Sequence, residues 1–200
     1  RPISWRYPVV EAVTGLLFLL VFWLYGWSGQ TLGYWAFLSW LLVLSLIDLD
    51  TLTLPNSLTQ SGLIVGLIFQ GTVGFFHSSQ RTEMSQQLMT GVVGAVLGIW
   101  LFELIAFAGS LVFGQTAMGG GDAKLAAMMG AWLGWKYLLL SGFIACVLGA
   151  FVGGGAIALG WIDRRQPMPF GPFLAFGAGL TLFWGEAIVS SYMQLFFPLS

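Results

Sequence analysis

The chain has 200 residues, of which 58% are hydrophobic and only 8% charged, with a net charge of −1. A soluble domain carries about 25% charged residues, so this composition excludes a water-soluble globule. The absence of any basic run argues against a nucleic-acid partner, and a single cysteine, Cys146, excludes a disulfide or a cysteine-based zinc site within one chain.

Seven apolar segments follow in order. The first, 9–25, closes at Gly26-Trp27-Ser28-Gly29. The second, 32–47, stops at the polar stretch 48–56, which is expected to run extended into Pro55, because proline disfavours helix at the residue before it. The third is 57–76. A polar loop at 77–85 holds the only histidine, His77, with Arg81 and Glu83. The fourth segment is 86–113. Residues 114–121 end in Gly119-Gly120-Gly121 and are too glycine-rich for regular helix. The fifth segment is short, 122–133, and the sixth is 137–161. A loop with Asp163, Arg164, Arg165, Pro167 and Pro169 leads to the seventh, 171–196.

These segments are continuously apolar rather than alternating, and most are too long for barrel strands. They predict an all-α integral membrane protein, a bundle of about seven transmembrane helices forming a single domain over 1–200. The glycine pairs Gly94/Gly98 and Gly149/Gly153 suit close helix approach. Basic residues in the loops set the orientation. With the N-terminus cytoplasmic, Arg1, Arg6, Lys124, Arg164 and Arg165 share that side, against Arg81 and Lys136 outside. Asp48 and Asp122 then lie at one depth on the cytoplasmic side, although 74 residues apart in sequence.

An ionisable group at membrane depth is a functional candidate by default. Asp163 beside Arg164 reads as a solvated loop charge, and Glu11 sits near enough to a span's start to reach interfacial water. Glu103 and Glu186 fall well inside spans and are either neutral or bonded to a neighbouring helix. Asp48 alone would be a span-end charge, and Asp122 alone a helix N-cap. Together they suggest a carboxylate pair. Two such groups a few ångströms apart share one proton, so one can activate water while the other protonates a leaving group. The glycines before Asp122 would allow close approach of another backbone, such as an extended substrate. No serine, cysteine or histidine constellation competes.

The stretch Gly119-Gly120-Gly121-Asp122 fits the GxGD signature of intramembrane aspartic proteases. Asp48 with Pro55-Asn56 seven and eight positions later resembles the first catalytic motif of the type IV prepilin peptidases. The opening Ile3–Glu11, the run Gly120–Leu125 with Ala131–Trp135, and Pro169–Leu174 are similar to the same family. The resemblance covers nearly the whole chain. GxGD alone is a weak signal and the combination a strong one.

The resemblance implies a membrane-embedded aspartic peptidase with Asp48 and Asp122 as its catalytic pair. Gly119, Gly121, Lys124, Asp50, Pro55 and Asn56 would support the pair or touch substrate. The substrate would be a prepilin or pseudopilin, cut at the cytoplasmic face of the bacterial inner membrane, with lipid as the surrounding partner. Many bacterial members also methylate the new N-terminus with S-adenosylmethionine, which is an expectation here only by analogy. Full-length members usually carry another N-terminal span and a cysteine-containing cytoplasmic domain thought to hold zinc. Neither is found here, so neither zinc nor any other metal is expected, and the peptidase needs no cofactor. Two alternatives remain from the residues: a presenilin-like GxGD protease, and an ion-coupled transporter using Glu103 and Glu186. Oligomeric state is not fixed by any sequence feature.

Overall fold

The computed structural model describes residues 5–77, 81–113, 119–163 and 167–197, in which all regular structure is helical. Arg1, Arg164 and Arg165, residues 78–80 and the stretch 114–118 lie outside the described residues, as do the side chains of His77, Arg81 and Glu83. Six helices follow in order: α1 (Arg6–Tyr25), α2 (Gly29–Thr51), α3 (Asn56–His77), α4 (Arg81–Phe113), α5 (Gly120–Ala158) and α6 (Gly171–Phe196). Among the described residues, five helices are long and apolar enough to cross a membrane, and the chain is an integral membrane protein.

Six helices stand where seven segments were expected because the fifth and sixth segments are continuous in α5. The backbone nevertheless breaks inside it, at Gly134, with φ 76° and ψ 171°. Only glycine adopts that conformation readily. The contacts on either side show that the chain turns back there. Before the break, Gly130 lies against Gly94 and Ala126 against Gly98, so the arm 120–133 runs antiparallel to α4. After it, Gly142 lies against Phe102, so the chain returns alongside α4. The Trp132 carbonyl, just before the break, accepts from Gln70 Nε2 at 2.9 Å. A carbonyl freed by a helix break in lipid must find such a partner.

Other boundaries moved by a few residues, two of them by four or five. Helix α4 begins at Arg81, inside the expected loop 77–85. Helix α2 runs four residues past the expected end, through Asp48 and Asp50 to Thr51, so neither aspartate lies in extended chain. Its start is capped by Ser28, whose Oγ accepts from the Thr31 N–H at 3.2 Å. Its end is Leu52 in the left-handed region, φ 52°, donating to the Asp48 carbonyl at 2.9 Å. The extended turn that follows is short, because α3 starts directly after Pro55.

The arm 120–133 is the centre of the bundle and is buried on nearly every side, as a helix apolar all round must be. In lipid such packing rests on fit rather than on expulsion of water. Gly94 and Gly130 show this most directly: a Cβ on either would overlap the other's backbone. The expected Gly94/Gly98 contact thus joins α4 to α5. Gly149 and Gly153 instead receive the side chains of Phe170 and Met168. Trp132 closes the inner end of the arm. It stacks on Phe37 at 5.1 Å, lies 5.0 Å from Phe69, and donates from Nε1 to the Gly62 carbonyl at 2.8 Å. The outer surface is apolar, with Leu16, Trp23, Trp100, Phe107 and Phe151 all exposed, which is what lipid requires.

Candidate active site

Asp48 occupies the last turn of α2. It belongs to the helix's buried stripe, Phe37, Leu41, Leu44 and Asp48, whose three- and four-residue spacing keeps one face inward. Asp122 is the third residue of α5, after the N-cap Gly119. It is therefore not itself the cap. At that position an acidic side chain faces back toward the cap residue, and Oδ2 lies 4.0 Å from where a Cβ of Gly119 would stand. Both carboxylates are buried, at 5% and 7% exposure. They lie at the same end of the bundle, since a Cβ on Gly121, the neighbour of Asp122, would stand 2.9 Å from the Leu54 Cβ in the turn that follows the helix of Asp48.

A third helix end meets them there. The Gly171 N–H, at the first position of α6, donates to Asp48 Oδ2 at 2.9 Å in a buried contact. The first N–H groups of a helix have no partner within it, and the helix dipole favours negative charge at that end. Approach this close needs glycine, because a Cβ at 171 would stand 2.7 Å from Asp48 Oδ2. The sequence assigned the run Pro169–Leu174 no role beyond family resemblance. The available signal was a Gly-Pro pair opening a helix after loop prolines.

The remaining candidates divide. Lys124 Nζ donates to Asn56 Oδ1 at 2.6 Å, joining the start of α5 to the start of α3 beside the carboxylates. Pro55 precedes α3 and accepts from Leu58 and Thr59 through its carbonyl, which fixes the turn after Asp48. Asp50 faces away from Asp48, since residues two apart on a helix do not share a face. It pairs with Arg6 Nη1 at 2.7 Å, with both side chains about half exposed. Gly121 does not leave room for an incoming chain. A Cβ there would meet the Leu54 Cβ at 2.9 Å, so its bareness admits the α2–α3 turn. Gly119 is extended and, like Gly120, exposed. Glu11, Glu103 and Glu186 are all exposed on the outside of the bundle, away from the buried acids.

Among the described residues no group of three or more histidine, cysteine, aspartate or glutamate side chains is placed to hold a metal ion. The arrangement is a buried carboxylate pair with one member fixed by a backbone N–H. Residues 35–154, which contain both aspartates, match the type IV leader peptidase family. The chain belongs to that family. It is 39% identical over 193 residues to the prepilin leader peptidase/N-methyltransferase of Stutzerimonas stutzeri, covering 96% of this chain and 63% of the relative. Proteins of the same description from Aeromonas hydrophila and Pseudomonas putida are 38% and 40% identical, covering 98% and 96% of this chain and 64% of each relative. The chain therefore spans just under two thirds of the length of these leader peptidases. No solved structure gives a significant match.

Proposed function

We propose that this chain is an intramembrane aspartic peptidase that removes the leader from type IV prepilins or pseudopilins at the cytoplasmic face of the bacterial inner membrane. The observation that carries this reading is that Asp48 and Asp122 are both buried at the same end of the bundle, with the α6 N-terminus donating to Asp48. The pair holds one proton between its two carboxyl groups. Gly171 occupies Oδ2 of Asp48 and leaves Oδ1 to draw a proton from water. That water adds to the scissile carbonyl carbon, and the carbon–nitrogen bond breaks. The carboxyl group of Asp122 gives its proton to the departing amine. Burial strengthens these electrostatic steps relative to water.

These relatives are also named as N-methyltransferases. S-adenosylmethionine carries a charged amino-acid end, a ribose and an adenine, all of which need polar partners. An apolar groove between α1, α2 and α6 offers only the Ser45 hydroxyl and the Trp184 indole N–H as side-chain polar groups, which does not suit that molecule, so no methyl-transfer step is assigned to these residues. The presenilin-like alternative shares GxGD, but the turn through Pro55 after Asp48 favours the prepilin reading. A transporter would direct Glu103 and Glu186 inward, and both face out.

The test is cleavage of a purified prepilin by the chain in detergent or nanodiscs. Asp48→Asn and Asp122→Asn are each expected to lower the rate at least about 10³-fold while the protein still purifies as a folded helical species. Processing by either variant at near the wild-type rate would sink the dyad.

A further inference from the structure

A groove of about 390 Å³ runs along the outside of the bundle between α1, α2 and α6. Leu17 and Leu20 form one wall, Leu42 and Ser45 the floor, and Phe176 and Gly179 the other wall. Helices α1 and α6 each pack on α2, which is the floor they share. The groove opens sideways: Val13 and Phe176, on opposite walls, are 39% and 57% exposed.

Its position relative to the acids is the important point. The floor residues Leu38, Leu41 and Ser45 continue with three- and four-residue spacing into Asp48, so the floor and the buried acid lie on one stripe of α2. On α6 the lining ends at Pro172, the neighbour of the glycine that holds Asp48. From Pro172 to Trp184 the wall is about 18 Å long at 1.5 Å per residue, more than half of a hydrocarbon core of about 30 Å. At the acid end of α2, the exposed Asp50 pairs with Arg6 of α1.

We propose that this groove receives the apolar helix of the prepilin, laid along α2 so that the peptide bond preceding the helix arrives at Asp48. The inference rests on the peptidase reading above and names how that substrate docks. The occupant must be apolar along the groove and must end in a polar, cleavable segment at Asp48. A lipid chain or a second copy of this protein has no such requirement. The basic leader ahead of the helix would pass the half-exposed carboxylate of Asp50. Entry is lateral, from lipid.

Gly179 supplies the test, because a Cβ placed there meets nothing within 4 Å. Gly179 lines the groove, so Gly179→Phe places a ring in it from a Cβ that crowds nothing. Gly154, on α5, is equally open and is exposed away from the groove, so Gly154→Phe is the matched control. Two substrates are compared: a whole prepilin, and a peptide with its leader and scissile bond but without the apolar helix. For Gly179→Phe the ratio of kcat/KM on prepilin to that on peptide should fall at least about tenfold, as expected when remote binding is lost. For Gly154→Phe it should stay within about twofold. An unchanged ratio in Gly179→Phe, with the wild type active, overturns the groove and leaves the peptidase intact. A wild type that leaves prepilin uncut removes both. In a Cys146→Ser background, Gly179→Cys should also cross-link to a cysteine in the prepilin's apolar helix. Cross-linking to a second copy of this chain, or none to prepilin, overturns the proposal.

Discussion

Position 171 puts a single backbone N–H in charge of where Asp48 points. Gly171 is helical, so alanine there suits α6 itself. The harm would fall on the site: a new Cβ would lie 2.7 Å from Asp48 Oδ2 and 3.2 Å from its Cβ and Cγ. The carboxylate must then rotate or withdraw, and it loses the 2.9 Å bond from the Gly171 N–H. Misplacement of a reacting group by about 1 Å costs roughly 10²-fold in rate. Gly171→Ala should therefore lower kcat/KM on prepilin by about that factor while the thermal midpoint stays within a few degrees. Equal activity in the two proteins would show that the bond does not position Asp48. The two acids were legible in the sequence because a charge is conspicuous in a chain that is 8% charged. Gly171 was not, because its contribution is a main-chain donor that any residue type carries and only close approach reveals. The motif glycine Gly121 was visible but its use was misjudged, since nothing in the sequence says that Leu54 folds back onto it.

At the scale of elements, the break at Gly134 decides how the site is assembled. Because the chain reverses there, the arm 120–133 needs only about 20 Å of length, with Asp122 at one tip and the turn at the other. A straight α5 would carry the following segment out past the opposite face, away from α4, and the α6 N-terminus would not return to Asp48. With φ 76° and ψ 171°, position 134 penalises any side chain by about 1–3 kcal/mol. Gly134→Ala should lower stability by that amount in a reversible unfolding titration in mixed micelles. A loss below about 0.5 kcal/mol would mean that the turn tolerates a side chain after all. Hydropathy separated the two arms correctly but did not reveal how short the connection is, a reversal at Gly134. It also ended α2 too early, since the apolar run stops at Asp48 while the helix lasts another turn. The stripe of Phe37, Leu41, Leu44 and Asp48 was readable by its spacing and would have placed the aspartate in the helix.

For the whole molecule the remaining question is which face the site presents. The starts of α1, α3, α5 and α6 and the end of α2 meet at the site end, as the Arg6–Asp50, Lys124–Asn56 and Gly171–Asp48 contacts require. Lys136 lies just past the Gly134 reversal, at the other end of the arm that starts near Lys124. The two lysines therefore report opposite faces, and both are exposed. Basic residues concentrate on the site's side in the sequence, Arg6 and Lys124 among them, and this is the side proposed to face the cytoplasm. Cys146 is the only native thiol, so its replacement by serine gives a clean background for single cysteines. In intact cells with a permeable outer envelope, a membrane-impermeant maleimide should label Lys136→Cys and spare Lys124→Cys. In inverted inner-membrane vesicles the pattern should reverse. Labelling of Lys124→Cys from outside the cell would put the carboxylates on the periplasmic face. A leader peptidase that meets its substrate before export could not work from there, so this result would count against the proposed reaction and against the orientation together.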